Sequence, residues 1–467
     1  MNPFVPNRRL RPRPRIPVAL LAALALPAFL TAEDAGVPGE VVSPAAVRRL
    51  ADALKSRHPG LRALDLRAGA AREDAEAVRQ WADPTLRAGG IGYGSRGPAP
   101  SEEGDLALGI SQPLPIFGKE SAARDLARAG SRTAQEAHDV RWQVLQRDLM
   151  ERLLEAAFLN RQLDLSEADL GWLRRIAAGL EARLPGGTAT PSQLIRLRND
   201  LSESETRLRL QRVEARDTAV RINRVLGLPM DHPVDRWELP RPAAPLTYRS
   251  EWSRQALASE PRLRLARRAH DEASARVEAT RRSSRPNLSL GLDSRQYTGD
   301  GDLRNGSAIL SVSLPWWNRD GYRRDLSRDR LRAEATRREV DDLEAEVAQE
   351  IHHWVTRAES ARLRAELASE TLLPRIRAAQ EAATAAWAGG AGDLREALDL
   401  RRQGLEASID HAGALRDQWS AIAELMLLCG WREVPPAPLP STPLPSTPSA
   451  APATPAAPSP APSAARP

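Results

Sequence analysis

Apolar and polar positions alternate in two neighbouring stretches of this chain. Along 287–297, Leu288, Leu290 and Leu292 interleave with Ser289, Gly291 and Asp293. Along 307–315, Ala308, Leu310, Val312 and Leu314 interleave with Ile309, Ser311 and Ser313. Successive side chains of a strand point to opposite faces, so both stretches predict strands with one apolar side. A second pair is predicted at 85–94 and 105–114. The former alternates weakly; the latter sets Leu106, Leu108 and Ile110 against Ala107, Gly109 and Ser111. Around the pairs run long helix-compatible segments, over roughly 45–57, 61–82, 119–184, 191–226, 263–284, 319–388 and 393–428.

These elements occur twice in one order. Pro59, Gly187 and Gly227 have counterparts at Pro261, Gly390 and Gly430, an offset of 202–203, while Pro115 and Pro315 stand 200 apart. A duplicated strand–strand–long-helix unit predicts a mainly α protein with a small β part. One repeat covers 45–229 and the other 249–430, with a linker at 230–248. At 1.5 Å per residue, a 70-residue helix runs for about 105 Å. The shorter helices of each half nearly match that length when stacked end to end beside it. Gly171 and Pro374, again 203 apart, are predicted to kink the long helices at one level.

Composition changes this picture at the ends. The net charge of +6 is concentrated in residues 1–32, where Arg8, Arg9, Arg11, Arg13 and Arg15 face no acid, leaving +1 for the rest. A nucleic-acid partner therefore has no electrostatic basis. Basic residues, then an apolar run over 16–30, then Ala32 read as a signal peptide over 1–32, followed by a leader at 33–44. No later apolar run reaches the 18 or so residues of a spanning helix. Any membrane crossing falls to the strands. Cys429, the single cysteine, reads as a buried small residue at a helix end. The Pro/Ala/Ser/Thr-rich tail at 431–467 lacks the apolar surface to order itself.

Four strands cannot close a barrel, and open edges leave N–H and C=O groups unpaired in lipid at several kcal/mol each. Bacterial barrels have about eight strands or more. Several copies must each donate four, and three copies give twelve. No Ser-His-Asp set, phosphate loop or Cys-x2-Cys pattern is present, and no cofactor site or enzymatic centre is predicted. His352 and His353 are adjacent on a helix, about 100° apart, and cannot easily share a metal.

The segments Gln112-Pro-Leu-Pro-Ile-Phe-Gly-Lys119, Ser313-Leu-Pro-Trp-Trp-Asn-Arg319, Leu372-Leu-Pro-Arg-Ile-Arg-Ala-Ala-Gln380 and Asp393-Leu-Arg-Glu-Ala-Leu-Asp399 follow one another in a specific order. With Leu226-Gly227-Leu-Pro, they make residues 45–430 resemble the TolC-type outer-membrane efflux channels. Pro115-Ile-Phe-Gly-Lys119 and Trp81-Ala-Asp-Pro84 are similar to the heavy-metal, CzcC-like branch. The resemblance implies a homotrimer with a 12-strand β-barrel in the outer membrane, continued by a periplasmic α-helical barrel. It implies a passive conduit working with a periplasmic adaptor and an inner-membrane pump, with metal cations among the candidate substrates. The competing reading is a soluble periplasmic helical-hairpin adaptor or scaffold. A metal-binding protein is a weaker third.

Two loci carry the candidate residues. At the helix-pair tips, Gly186-Gly187 and Gly389-Gly390 precede restarts with capping-box spacing, Thr190 with Gln193 and Asp393 with Glu396. By resemblance, Glu396 and Asp399 ring the periplasmic aperture, the tips face adaptor or pump, and Gly392 stands where a basic latch is possible. An ordinary solvated turn is the plainer reading. Where strands yield to helices, Phe117, Trp316 and Trp317 suit an aromatic belt at the membrane surface, or packing between barrel and tunnel.

Overall fold

A computed structural model describes residues 39–55, 57–92, 104–185, 190–297 and 303–435. The expected signal peptide, the hairpin tips around 95–103 and 298–302, Gly186 and Gly187, and all but the first five residues of the tail lie outside the described residues. The first repeat comprises α1 (Pro44–Leu54), α2 (Pro59–Ala77), β2 (Thr85–Gly92), β3 (Gly104–Leu114), α3 (Lys119–Arg183) and α4 (Pro191–Leu226), preceded by the short strand β1 (Glu40–Val41). After β4 (Trp237–Glu238), the second comprises α5 (Ser250–Ser259), α6 (Pro261–Ser283), β5 (Leu288–Tyr297), β6 (Leu303–Val312), α7 (Arg319–Leu367), α8 (Leu373–Ala388) and α9 (Leu394–Cys429).

The two hairpins form one antiparallel sheet in the order β2-β3-β5-β6. Register pairs Leu86 with Ile110, Ile110 with Leu292 and Leu292 with Ala308, so these four share a face. Gln112, Leu290 and Leu310 align on that same face, and Leu86, Leu106, Ile110, Leu290, Leu292 and Leu310 are exposed. The other face carries Thr85, Arg87, Ser111, Ser289, Asp293, Ser307 and Ser311, with Gly109 and Gly291 buried. An apolar exposed face backed by a hydroxyl-rich one is the pattern of a strand between lipid and a wet lumen.

Each long helix has two shorter companions. α2 and α4 both pack on α3, and α6 and α9 both pack on α7; α3 also packs against α6 and α9, which joins the repeats. Four buried clusters are gathered among the described residues, and the two largest share a level, since Ala423 of α9 belongs to one and Ile422 and Leu425 to the other. One gathers Leu149, Leu153, Leu154 and Ile222 around Trp237 and Val42; the next gathers Ile351, Val355, Ile422 and Leu425 around Trp252. A third gathers Leu173, Ile176, Leu180, Leu197 and Leu394, and a small fourth gathers Ala365, Ala414 and Leu415. No described helix is long and apolar enough to cross a membrane.

Four expectations are corrected. α3 runs 65 residues through Gly171 without interruption, because a mid-helix glycine costs only about 1 kcal/mol and leaves the hydrogen-bond ladder whole. The partner site does break: a π-turn at Ala368–Leu372 separates α7 from α8. Pro374 lacks an N–H and crowds the carbonyl four residues back, and the wider turn relieves both. α2 ends at Ala77 rather than 82, and the Arg124 guanidinium donates to the Val78 carbonyl at 2.8 Å. β6 spans Leu303–Val312 rather than 307–315, and Pro315 opens a 3₁₀ turn, Pro315–Asn318. Within the expected leader, Glu40–Val41 pair in parallel with Trp237–Glu238, and Val42 is fully buried.

Candidate functional site

The tips begin where α3 and α8 end. Arg183, the last residue of α3, lies 4.6 Å from the Trp387 ring and donates to the carbonyls of Trp387 (3.1 Å) and Ala388 (2.7 Å). Those carbonyls terminate α8, and the Trp387 carbonyl also accepts from the Gly390 N–H at 3.1 Å, so a cation there adds charge and hydrogen bonding at the negative end of the helix. One side chain thus closes a helix of the other repeat. Nothing in sequence spacing announces this contact.

Both restarts are capped, in different ways. Thr190 accepts from the Gln193 N–H at 3.4 Å, and the Gln193 carboxamide oxygen accepts from the Thr190 N–H at 3.0 Å. Gln193 is therefore spent on the cap. At the second tip, Asp393 accepts from the Arg395 N–H at 3.0 Å, and no reciprocal bond from Glu396 is made. Gly389 caps α8 in a right-handed conformation, whereas Gly390 has φ +79°. A Cβ on Gly392 would lie 2.8 Å from the Trp387 nitrogen. The chain doubles back too tightly there for any side chain.

Glu396 is exposed and, among the described residues, has no hydrogen-bond or ion-pair partner. Asp399 differs: Arg395 and Arg402 approach it from either side, each at 3.9 Å. Neighbouring charges are engaged across helices. Arg401 pairs with the nearly buried Asp169 at 2.7 Å, and burial followed by the nearby Glu203 raises the Asp200 carboxyl above its usual range.

At the opposite end, Trp316 and Trp317 sit in the 3₁₀ turn, 57% and 82% exposed, while Phe117 is half-buried. Polar ties hold this strand-to-helix junction. Lys119 Nζ donates to Asn287 Oδ1 at 2.7 Å, and Arg285 donates to the Phe117 carbonyl at 2.9 Å. His352 and His353 are exposed, and no group of three or more His, Cys, Asp or Glu able to hold a metal is gathered among the described residues. Cys429 is buried at the end of α9, which pushes its thiol up to about 12.

A four-stranded sheet with an apolar exposed face, rooted in paired helices and duplicated, matches one family profile. Residues 50–228 and 252–431 fit the family described as outer membrane efflux protein. The chain belongs to the outer membrane efflux protein family. It is an outer-membrane channel that extends into the periplasm, a passive component of a tripartite efflux system rather than an enzyme. It works as a homotrimer with a periplasmic adaptor and an inner-membrane pump. The reading as a soluble adaptor is thereby set aside.

Solved structures of the same fold include VceC of Vibrio cholerae, with TM-score 0.69 and 17% identity over 83% of this chain and 96% of that one. The Campylobacter jejuni CmeC outer membrane channel gives 0.71 and 11% over 90% and 94%. The open state of Neisseria gonorrhoeae MtrE gives 0.63 and 17% over 82% and 88%. A search of curated proteins finds no match.

Proposed function

We propose that the α8–α9 tip of this efflux channel forms the narrow periplasmic end of the conduit, and that Glu396 gives it a preference for cations, metal cations among them. The observation that supports this is the state of the two acids. Asp399 shares its charge with Arg395 and Arg402, whereas Glu396 is exposed and unpaired among the described residues. In a trimer, three Glu396 carboxylates at one level raise the local cation concentration and repel anions from a narrow opening. The capped turns at Thr190 and Asp393 then serve as rigid ends facing adaptor or pump.

Reversal potentials of single channels in planar bilayers under a salt gradient test the reading. Glu396→Gln is expected to lower the cation-to-anion permeability ratio by about twofold or more, and Asp399→Asn by less. An unchanged potential for Glu396→Gln removes the acid-ring reading.

A further inference from the structure

The polar face of the sheet carries an ion pair in an unusual place. Arg87 of β2 and Asp293 of β5 approach at 3.3 Å, although β3 lies between their strands. Register puts Arg87, Gly109 and Asp293 in one row across the three strands. The pair closes over Gly109. A Cβ on that residue would fall 1.9 Å from Asp293 Oδ1, and a Cβ on Gly291 would touch the Arg87 guanidinium at 3.4 Å. Both side chains therefore lie flat along glycine backbone instead of standing into the lumen. The remaining residues of this face near the pair are neutral: Thr85 and Ser111 meet hydroxyl to hydroxyl at 2.6 Å, with Ser289, Ser307 and Ser311 around them. Two positions beyond Asp293, the exposed Arg295 shares the same face with Ala107 and Asn305.

We propose that Arg87, Asp293 and Arg295 are specificity-determining charges of the barrel lumen: in the trimer, three neutralised Arg87–Asp293 pairs form a girdle of no net charge beside three Arg295 side chains, with Asp105 in the row beyond. The face opposite them is apolar and exposed, so these charges point to the side away from lipid. Water-filled pores are tuned by rings of fixed side-chain charge at the wall. Asp293 cancels Arg87 and holds it against the sheet, so the girdle neither repels a solute nor obstructs it. One row beyond Arg295, register places Asp105 opposite Tyr297 on the same face, so the charges of the paired strands on this face balance.

Single-channel reversal potentials of the full-length trimer test the assignment. Asp293→Asn exposes an uncompensated Arg87 and is expected to shift the cation-to-anion permeability ratio toward anions by about twofold. Arg87→Gln should shift it toward cations by a similar factor, and the double variant should return it near the original. Arg295→Gln alters an exposed side chain that has no hydrogen-bond or ion-pair partner among the described residues, so it threatens folding least; it should move the ratio the same way as Arg87→Gln. A pair with only a structural role would weaken the trimer on heating and leave these potentials in place. Intact trimers of Asp293→Asn and Arg295→Gln with unmoved potentials overturn the proposal. Repeating both in a Glu396→Gln background separates the barrel effect from the aperture, because the shifts must persist there.

Discussion

His58 heads α2 and uses its Nδ1 as the cap acceptor for the Leu61 N–H at 3.3 Å. That role requires a neutral ring. Burial first, and the Arg141 charge second, lower its pKa, and His411 is lowered by burial and Arg161. A histidine whose folded pKa is depressed stabilises the fold fully above its unfolded value of about 6.5, and the contribution is lost as pH falls below it. Glu424 pulls the other way, since burial raises its carboxyl against the opposing pull of the Arg147 charge. Replacing His58 by Asn keeps a cap acceptor that does not titrate. Thermal melts of detergent-solubilised trimers at pH 7.5 and 5.5 should therefore show a smaller loss for His58→Asn than for the original chain. Equal losses would detach the cap from the pH response. At this scale the sequence exposes candidates without their partners. Thr190 and Gln193 are recognisable from spacing alone, whereas Asp399 looks as free as Glu396 until Arg395 and Arg402 are brought beside it.

Between elements, the Arg183 contact with α8 is the clearest link of one repeat to the other at the periplasmic tips. Arg183→Ala removes at least two hydrogen bonds and a cation–π contact, together worth about 1–3 kcal/mol locally. Hydrogen exchange should quicken at the amides around Gly389–Gly392, which bond back to the last turn of α8. Protection that stays unchanged there would show that Trp387 packing alone closes the turn. Element ends were legible where chemistry marks them. The expected helix at 191–226 is α4, with Pro191 at its start and Gly227, φ +68°, at its end. The helix expected at 393–428 is α9, one residue along, closed by Gly430 at φ +66°. Ends set by distant contacts were not legible. The polar run Leu303-Arg-Asn-Gly306 looks like a turn, and it becomes strand only because β5 supplies its partners through a bulge at Arg295/Gln296. The parallel pairing of Glu40–Val41 with β4 spans nearly two hundred residues of chain and leaves no local mark.

For the whole molecule, the repeat offset, the alternation of the strands and the matched helix lengths were enough to indicate the architecture, because each reflects a constraint that acts along the entire chain. Charge placement inside the conduit was not, since it depends on which strands become neighbours. β3 meets β5, so a residue of the first hairpin finds its partner in the second. The sheet order also leaves β2 and β6 as outer strands, each with one row of backbone groups facing away from the protomer. Those rows are satisfied only by the next copy, which makes the chain an obligate contributor of one third of a wall.

That division of labour has a genetic corollary. A cell that makes sound and edge-damaged versions in equal amounts, the latter carrying for example Leu310→Pro in β6, should assemble only about one wholly sound ring in eight if the subunits mix at random. Such an allele would poison its neighbour's product instead of merely failing to add to it. Co-expression with a tagged damaged copy, followed by counting of heat-resistant rings, should show a yield falling far below one half; a yield that simply halves would mean that the damaged copies never enter the ring.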